Sequence, residues 1–197
     1  MADNGVNKGR RRLLLGATTV VGAVGAVGVA VPFVASWQPS ARARAAGAPV
    51  QADVSKLDEG QRMIVEWRGR PVWIVKRTPD MIERTENLDT SRLADPESSE
   101  PQQPDYATGP LRSIRPEISV LIGICTHLGC SPLFRPEPDD VDMEAWPGGY
   151  FCPCHGSFFD LSGRVFRNVP APLNLEIPPY RFESDDVIIV GEDEETA

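Results

Sequence analysis

FCPCHGSFFD, residues 151–160, sets Cys152, Pro153, Cys154 and His155 side by side. The chain of 197 residues holds four cysteines and two histidines, so half of each set sits in this stretch. The other half lies in CTHLGC, as Cys125, His127 and Cys130. Together they read C-x-H-x-x-C, 21 intervening residues, then C-x-C-H. Buried free cysteines and core histidines do not gather this way, and the flanking prolines and glycines place the groups on loops. Metal ligation is the chemistry that needs soft sulfur and imidazole donors so close together. Six donors exceed the four of a tetrahedral zinc site, so a zinc bound by four cysteines, or by two cysteines and two histidines, strands two residues. Another division puts Cys125, His127, Cys152 and His155 on metal. It leaves Cys130 and Cys154, one per loop, for a disulfide, which calls for an oxidising compartment.

The N-terminal segment supports such a location. Residues 13–35, LLLGATTVVGAVGAVGVAVPFVA, carry no charge. As a helix of about 1.5 Å per residue they span about 34 Å, enough for a bilayer core of about 30 Å. Arg10, Arg11 and Arg12 precede the run, which keeps residues 1–12 in the cytoplasm by the positive-inside rule, and Trp37 follows where an interfacial aromatic belongs. Gly16, Gly22, Gly25 and Gly28 suit close packing against another membrane helix. ARARAAGA, 41–48, offers cleavage-like A-x-A patterns, but the apolar run exceeds an export-signal core, so an uncleaved anchor is expected. The Arg pair before Leu13 and Leu14 partly matches a twin-arginine export signal. Residues 36–50 read as a hinge linker, able to span roughly 50 Å when extended.

Residues 51–197 read as a β-rich head. The 19 prolines and 17 glycines favour loops and short strands. RMIVEWRGRPVWIVKR, 62–77, alternates apolar and polar residues about a turn at 68–71, as a hairpin does. TPDMIERTEN from Thr78 carries a helix start, with Thr78 as cap and Pro79 at the first position. Residues 94–110 form a loop. ISVLIGIC, 118–125, reads as a buried strand ending on a cysteine, and LEIPPYRFESDDVIIV as a hairpin turning near Asp185–Asp186. The tail GEDEETA is expected to fray. Residues 1–44 hold six basic residues and one acid, the remainder 14 and 27. So acidic a body argues against nucleic-acid binding.

The two loop motifs together resemble the Rieske iron-sulfur protein of the bacterial cytochrome bc1 complex, ubiquinol-cytochrome c reductase. The Arg-led anchor, ARARAAGAP and PAPLNLEIPPY extend the resemblance over nearly the whole chain. It implies an antiparallel Rieske-type β-sandwich head, a small cluster-binding subdomain at about 118–173 and one transmembrane helix. It implies one 2Fe-2S cluster, with Cys125 and Cys152 on one iron, His127 and His155 on the other, and a Cys130–Cys154 disulfide. Neutral imidazoles in place of thiolates make such a cluster easier to reduce, at about -150 to +300 mV against about -400 mV for all-cysteine clusters. His155 would take the hydrogen bond and proton of a quinol, His127 would share the proton chemistry, and Ser157 would hydrogen-bond the cluster. The implied partners are cytochrome b, cytochrome c1 and the membrane, in a dimeric complex of three or more subunit types, an oxidoreductase and translocase of respiratory electron transport. The implied place is the bacterial inner membrane, with a single pass and a periplasmic head. Two other readings are the Rieske small subunit of arsenite oxidase and a membrane-anchored zinc-binding structural protein.

Three departures stand out. Phe159 occupies a position where the family often has a hydroxyl-bearing tyrosine, which predicts a lower potential. VPAP, 169–172, begins with Val169, which demands negative φ where the family often has glycine. Residues 137–146, EPDDVDMEAW, form an acidic insert expected to be a solvated loop.

Overall fold

Arg68 and Gly69 both take left-handed backbone angles, φ 53° and 72°. That is the two-residue turn whose twist matches a right-handed hairpin. It joins β1's downstream neighbours: after β1 (Val50–Asp53) come β2 (Arg62–Trp67) and β3 (Arg70–Lys76), with Trp67 opposite Arg70. The turn is thus tighter than the predicted 68–71, and Pro71 lies within β3. The computed structural model describes residue 5 and residues 7–193. The end of the predicted frayed tail, 194–197, and residues 1–4 and 6 of the predicted cytoplasmic segment lie outside the described residues.

Two units divide at Ala45–Ala46. The first contains α1 (Lys8–Ala35), a helix long and apolar enough to cross a membrane. It starts before the apolar run because the Asn7 side chain caps it by accepting the Arg10 N–H. The predicted linker is partly ordered: residues 41–46 form a short helix, α2 (Ala41–Ala46), and Val50 already belongs to β1. Alanine and arginine are strong helix formers, and Ser40 Oγ accepts the Ala43 N–H.

Among the described residues the second unit has three antiparallel sheets of three strands each. β1 pairs with β9 (Val187–Val190), which pairs with β8 (Tyr180–Phe182). β2, β3 and β4 (Ile118–Ile122) form the second sheet. β5 (Leu133–Arg135), β6 (Gly149–Cys152) and β7 (Ser157–Asp160) form the third. α3 (Pro79–Glu86) sits between β3 and β4, capped by Thr78 Oγ1 accepting the Met81 N–H. One apolar core runs through all three sheets, from Ala52, Trp73 and Leu121 to Tyr150, Phe159, Tyr180 and Ile188.

β4 ends at Ile122, three residues before Cys125. Gly123 explains the stop. A Cβ there would lie 2.1 Å from the Trp73 ring, so only glycine lets the chain turn past that indole. The acidic insert is also less free than expected. Its carboxylates are exposed, but Trp146 is buried among Leu88, Leu93 and Phe166. Arg92 donates to the Glu144 and Ala145 carbonyls at 2.8 and 2.7 Å.

Candidate metal centre

Both donor loops follow strand ends, and Cys125 and Cys152 sit at the edge of the main apolar core. The first follows β4 and closes on itself, the Cys125 N–H donating to Cys130 O at 2.8 Å and the Gly129 N–H to Cys125 O at 3.1 Å. The second is the turn of the β6–β7 hairpin, where Cys152 faces Ser157 across the ladder and the Gly156 N–H donates to Cys152 O at 3.0 Å. Gly156 turns with φ 76°, which an L side chain rarely adopts. Cys152 is thus the last residue of β6 rather than a loop residue, and Ser157 opens β7.

Cys130 and Cys154 are joined by a disulfide, which ties one loop to the other. Cys125 and Cys152 remain free and buried. Their sulfurs face one another. Burial and the Cys125 thiol raise the Cys152 pKa, while the amides of Cys154 and His155 aim at its sulfur and favour the thiolate. The sulfurs of Cys130, Cys152 and Cys154 also lie within 4.8 Å of one another, but two of these are consumed by the disulfide. Across the loops, the His127 and His155 rings meet edge-on, with centroids 4.6 Å apart and planes at 89°. His127 Nδ1 is buried and has no hydrogen-bond partner among the described residues. A buried ring nitrogen left unpaired is costly unless another ligand uses it. His155, Leu128 and Pro153 are exposed.

The donor set fits a binuclear iron-sulfur group: two free thiols in contact, two imidazoles in contact, and one orphaned ring nitrogen.

A third segment covers the pair. The Ala171 N–H donates to Ser157 Oγ at 3.0 Å, and Thr126 Oγ1 donates to Leu173 O at 2.6 Å. The VPAP stretch is thereby pinned to both donor loops. The left-handed residue is Asn168, just before this stretch, φ 60°, so Val169 escapes the strain that glycine would have relieved. Thr126 and Ala171 were missed in the sequence reading, although Thr126 lies inside CTHLGC. Phe159 is fully buried in β7, opposite Tyr150. Tyr150 stacks on Trp73 at 5.0 Å, and burial raises its pKa above the ordinary tyrosine value.

Two families match the chain. Residues 1–40 match "Ubiquitinol-cytochrome C reductase Fe-S subunit TAT signal", and residues 48–179 match "Rieske [2Fe-2S] domain". The chain is 59% identical to the ubiquinol-cytochrome c reductase iron-sulfur subunit of Allochromatium vinosum, over 100% of this chain and 95% of that one. It is 44% identical to the subunit of the same name from Blastochloris viridis, over 92% of each. Among solved structures, a chain of a hyperthermophilic respiratory Complex III matches at a TM-score of 0.47 and 26% identity, covering 90% of this chain and 98% of that chain.

Proposed function

Because this chain belongs to the Rieske iron-sulfur subunits of ubiquinol-cytochrome c reductase, we propose that Cys125, His127, Cys152 and His155 hold its 2Fe-2S cluster and that His155 meets the quinol. The observation that carries this is the arrangement of two free, facing thiols and two edge-on imidazoles on loops joined by a disulfide. Cys125 and Cys152 would bind one iron as thiolates, and His127 and His155 the other as neutral rings. When bound, the cluster supplies one-electron oxidation of quinol within the bc1 complex.

The chain's own residues do the rest. His155 is exposed, so its outer nitrogen can accept the hydrogen bond of a quinol hydroxyl and then hold the proton. His127 is half-buried and serves first as ligand. The exposed Leu128 and Pro153 beside the rings give the tip an apolar rim suited to an apolar pocket on cytochrome b. Ser157 Oγ accepts the Ala171 N–H, which leaves its own hydrogen free to donate to the cluster. The disulfide holds the loops together against solvent.

The chain is anchored in a membrane by α1 behind its twin-arginine signal. Its finer placement follows from charge. Residues 1–12 would stay cytoplasmic, 13–35 cross the bacterial inner membrane, 36–50 act as the hinge, and 51–197 form a periplasmic head with the cluster in about 118–173. The oxidising periplasm suits the Cys130–Cys154 bond. Cytochrome b as the site of quinol oxidation, cytochrome c1 as electron acceptor and a dimeric complex complete the reading.

Iron, acid-labile sulfide and haem analysis of the detergent-purified chain tests it. Two irons and two sulfides per chain, a reduced-state paramagnetic signal and co-purifying b- and c-type haem are expected. A colourless zinc protein would refute the cluster, and a lone haem-free chain the complex partners.

A further inference from the structure

The hairpin that carries Cys152 and Ser157 at one end carries a buried charge cluster at the other. Gly149 pairs with Asp160 there, and Asp160 lies three positions along β7 from Ser157. At about 3.4 Å per residue the two ends lie roughly 10 Å apart. Asp160 is 1% exposed and pairs with Arg164, its Oδ2 accepting from Arg164 Nε at 2.7 Å. Its Oδ1 accepts the Ser162 and Arg164 N–H groups at 2.9 and 2.8 Å.

Two more guanidiniums meet this turn. Arg112 is 1% exposed and donates to Ser162 O at 2.9 Å, Leu175 O at 3.0 Å and Gln103 Oε1 at 2.7 Å. Arg77 is 2% exposed and donates to Leu111 O, Pro116 O, Ser113 Oγ and Ser162 Oγ. Arg112 feels Asp160 and Asp95 as favourable charges, and Arg164 and Arg77 as unfavourable ones. Asp95 is only half-buried, and its carboxylate accepts the Ser99 and Glu100 N–H groups. Burial pushes the Arg112 pKa down to about 10, so it still carries its charge at neutral pH.

Within this cluster, among the described residues, three buried guanidiniums against one fully buried carboxylate leave a local positive excess. Burying ions without a partner costs several kcal/mol each, so the excess is an expensive way to tie a turn that neutral donors could tie. Its field, however, is useful. Buried charges are screened far less than exposed ones. One electron entering the cluster adds one negative charge there, with no bond made or broken. A positive excess stabilises that reduced form. We propose that Arg77, Arg112 and Arg164, offset by Asp160, form an electrostatic platform beneath the β6–β7 hairpin that raises the reduction potential of the iron-sulfur site. This rests on the assignment of Cys125, His127, Cys152 and His155 as cluster ligands.

The test is a redox titration of the full chain in its detergent-solubilised complex, followed by paramagnetic resonance of the reduced state. Asp160→Asn removes the one fully buried negative charge of this group, and its midpoint should rise. Arg112→Gln removes a positive charge, and its midpoint should fall. Arg112→Lys keeps the charge but loses the planar fork, and its midpoint should stay near the parent's. A merely structural cluster predicts otherwise: the Asn and Gln variants would move in the same direction or not at all, and Lys would follow Gln. Either pattern overturns the proposal. Should Arg112→Gln lose its cluster, the Asn and Lys variants decide alone, a rise with Asn and an unchanged midpoint with Lys being required. An unsubstituted chain with no iron-sulfur signal would instead overturn the ligand assignment.

Discussion

Phe159→Tyr adds one oxygen to a fully buried ring in β7. Residues two apart on a strand share a face, so the new hydroxyl lies on the face of Ser157. Ser157 already receives the Ala171 N–H at 3.0 Å and turns its own hydrogen elsewhere. The tyrosine would supply a second donor on that face. A hydrogen bond contributes about 1 kcal/mol net. It strengthens as the acceptor gains negative charge, so the reduced cluster benefits more. For one electron, about 59 mV corresponds to a tenfold change in equilibrium constant, so about 1 kcal/mol raises the midpoint by about 40 mV. The same hydroxyl has a cost when the acceptor is absent. A buried unpaired polar group destabilises by about 1–3 kcal/mol, so the cluster-free variant should melt lower than its parent while the cluster-bound one does not. Protein-film voltammetry reads the midpoint, and circular dichroism the two melts. A midpoint that stays or falls, with the cluster signal intact, would refute the reasoning.

Ser157→Ala removes the acceptor of the Ala171 N–H and, on the proposed reading, a cluster donor; the midpoint should drop by tens of mV on the same one-electron arithmetic, and unchanged voltammetry would deny Ser157 that role. Replacing Cys130 and Cys154 by serine opens a link between residues 24 apart in sequence, worth about 3 kcal/mol of loop-closure entropy. Visible absorbance followed over time should then show faster cluster loss, and retention equal to the parent's would show that the loops hold without it. Burial pushes the Tyr180 pKa up to about 12 and raises that of Tyr150 as well. Stability from their neutral phenols is full below pH 10 and is lost as pH rises toward 12, so a phenolate difference spectrum at pH 11 should show both still protonated unless the head has unfolded.

Local signals were legible where a structure is made by near neighbours. The 62–76 hairpin follows from period-two alternation about a two-residue turn, and α3 from Thr78 and Pro79 at its start. Strands that depend on distant partners were not. β1 is four residues long and exists because β9, more than 130 residues away, pairs with it. β5 and β6 are short and hold their register through one another and β7. The burial of Arg77, Arg112 and Arg164 is not legible locally, because a sequence does not say which loop carbonyls will converge on a guanidinium. An Asp and an Arg four apart, at 160 and 164, was the one available hint.

The sequence by itself determined the kinds and number of donors, since every thiol and imidazole lies in two short motifs, and it determined the apolar anchor, since length and lack of charge suffice for a bilayer span. Tertiary structure decided how the donors divide. Cys130 meets Cys154, Cys125 faces Cys152 and the two histidines meet edge-on, because β4 and the β6–β7 hairpin bring two separated turns together. It also decided what surrounds them: a proline segment pinned by Thr126 and Ser157, and a buried positive cluster at the hairpin's far end. Distances between segments are set by packing and strand pairing, and those are properties of the folded chain rather than of any one stretch of it.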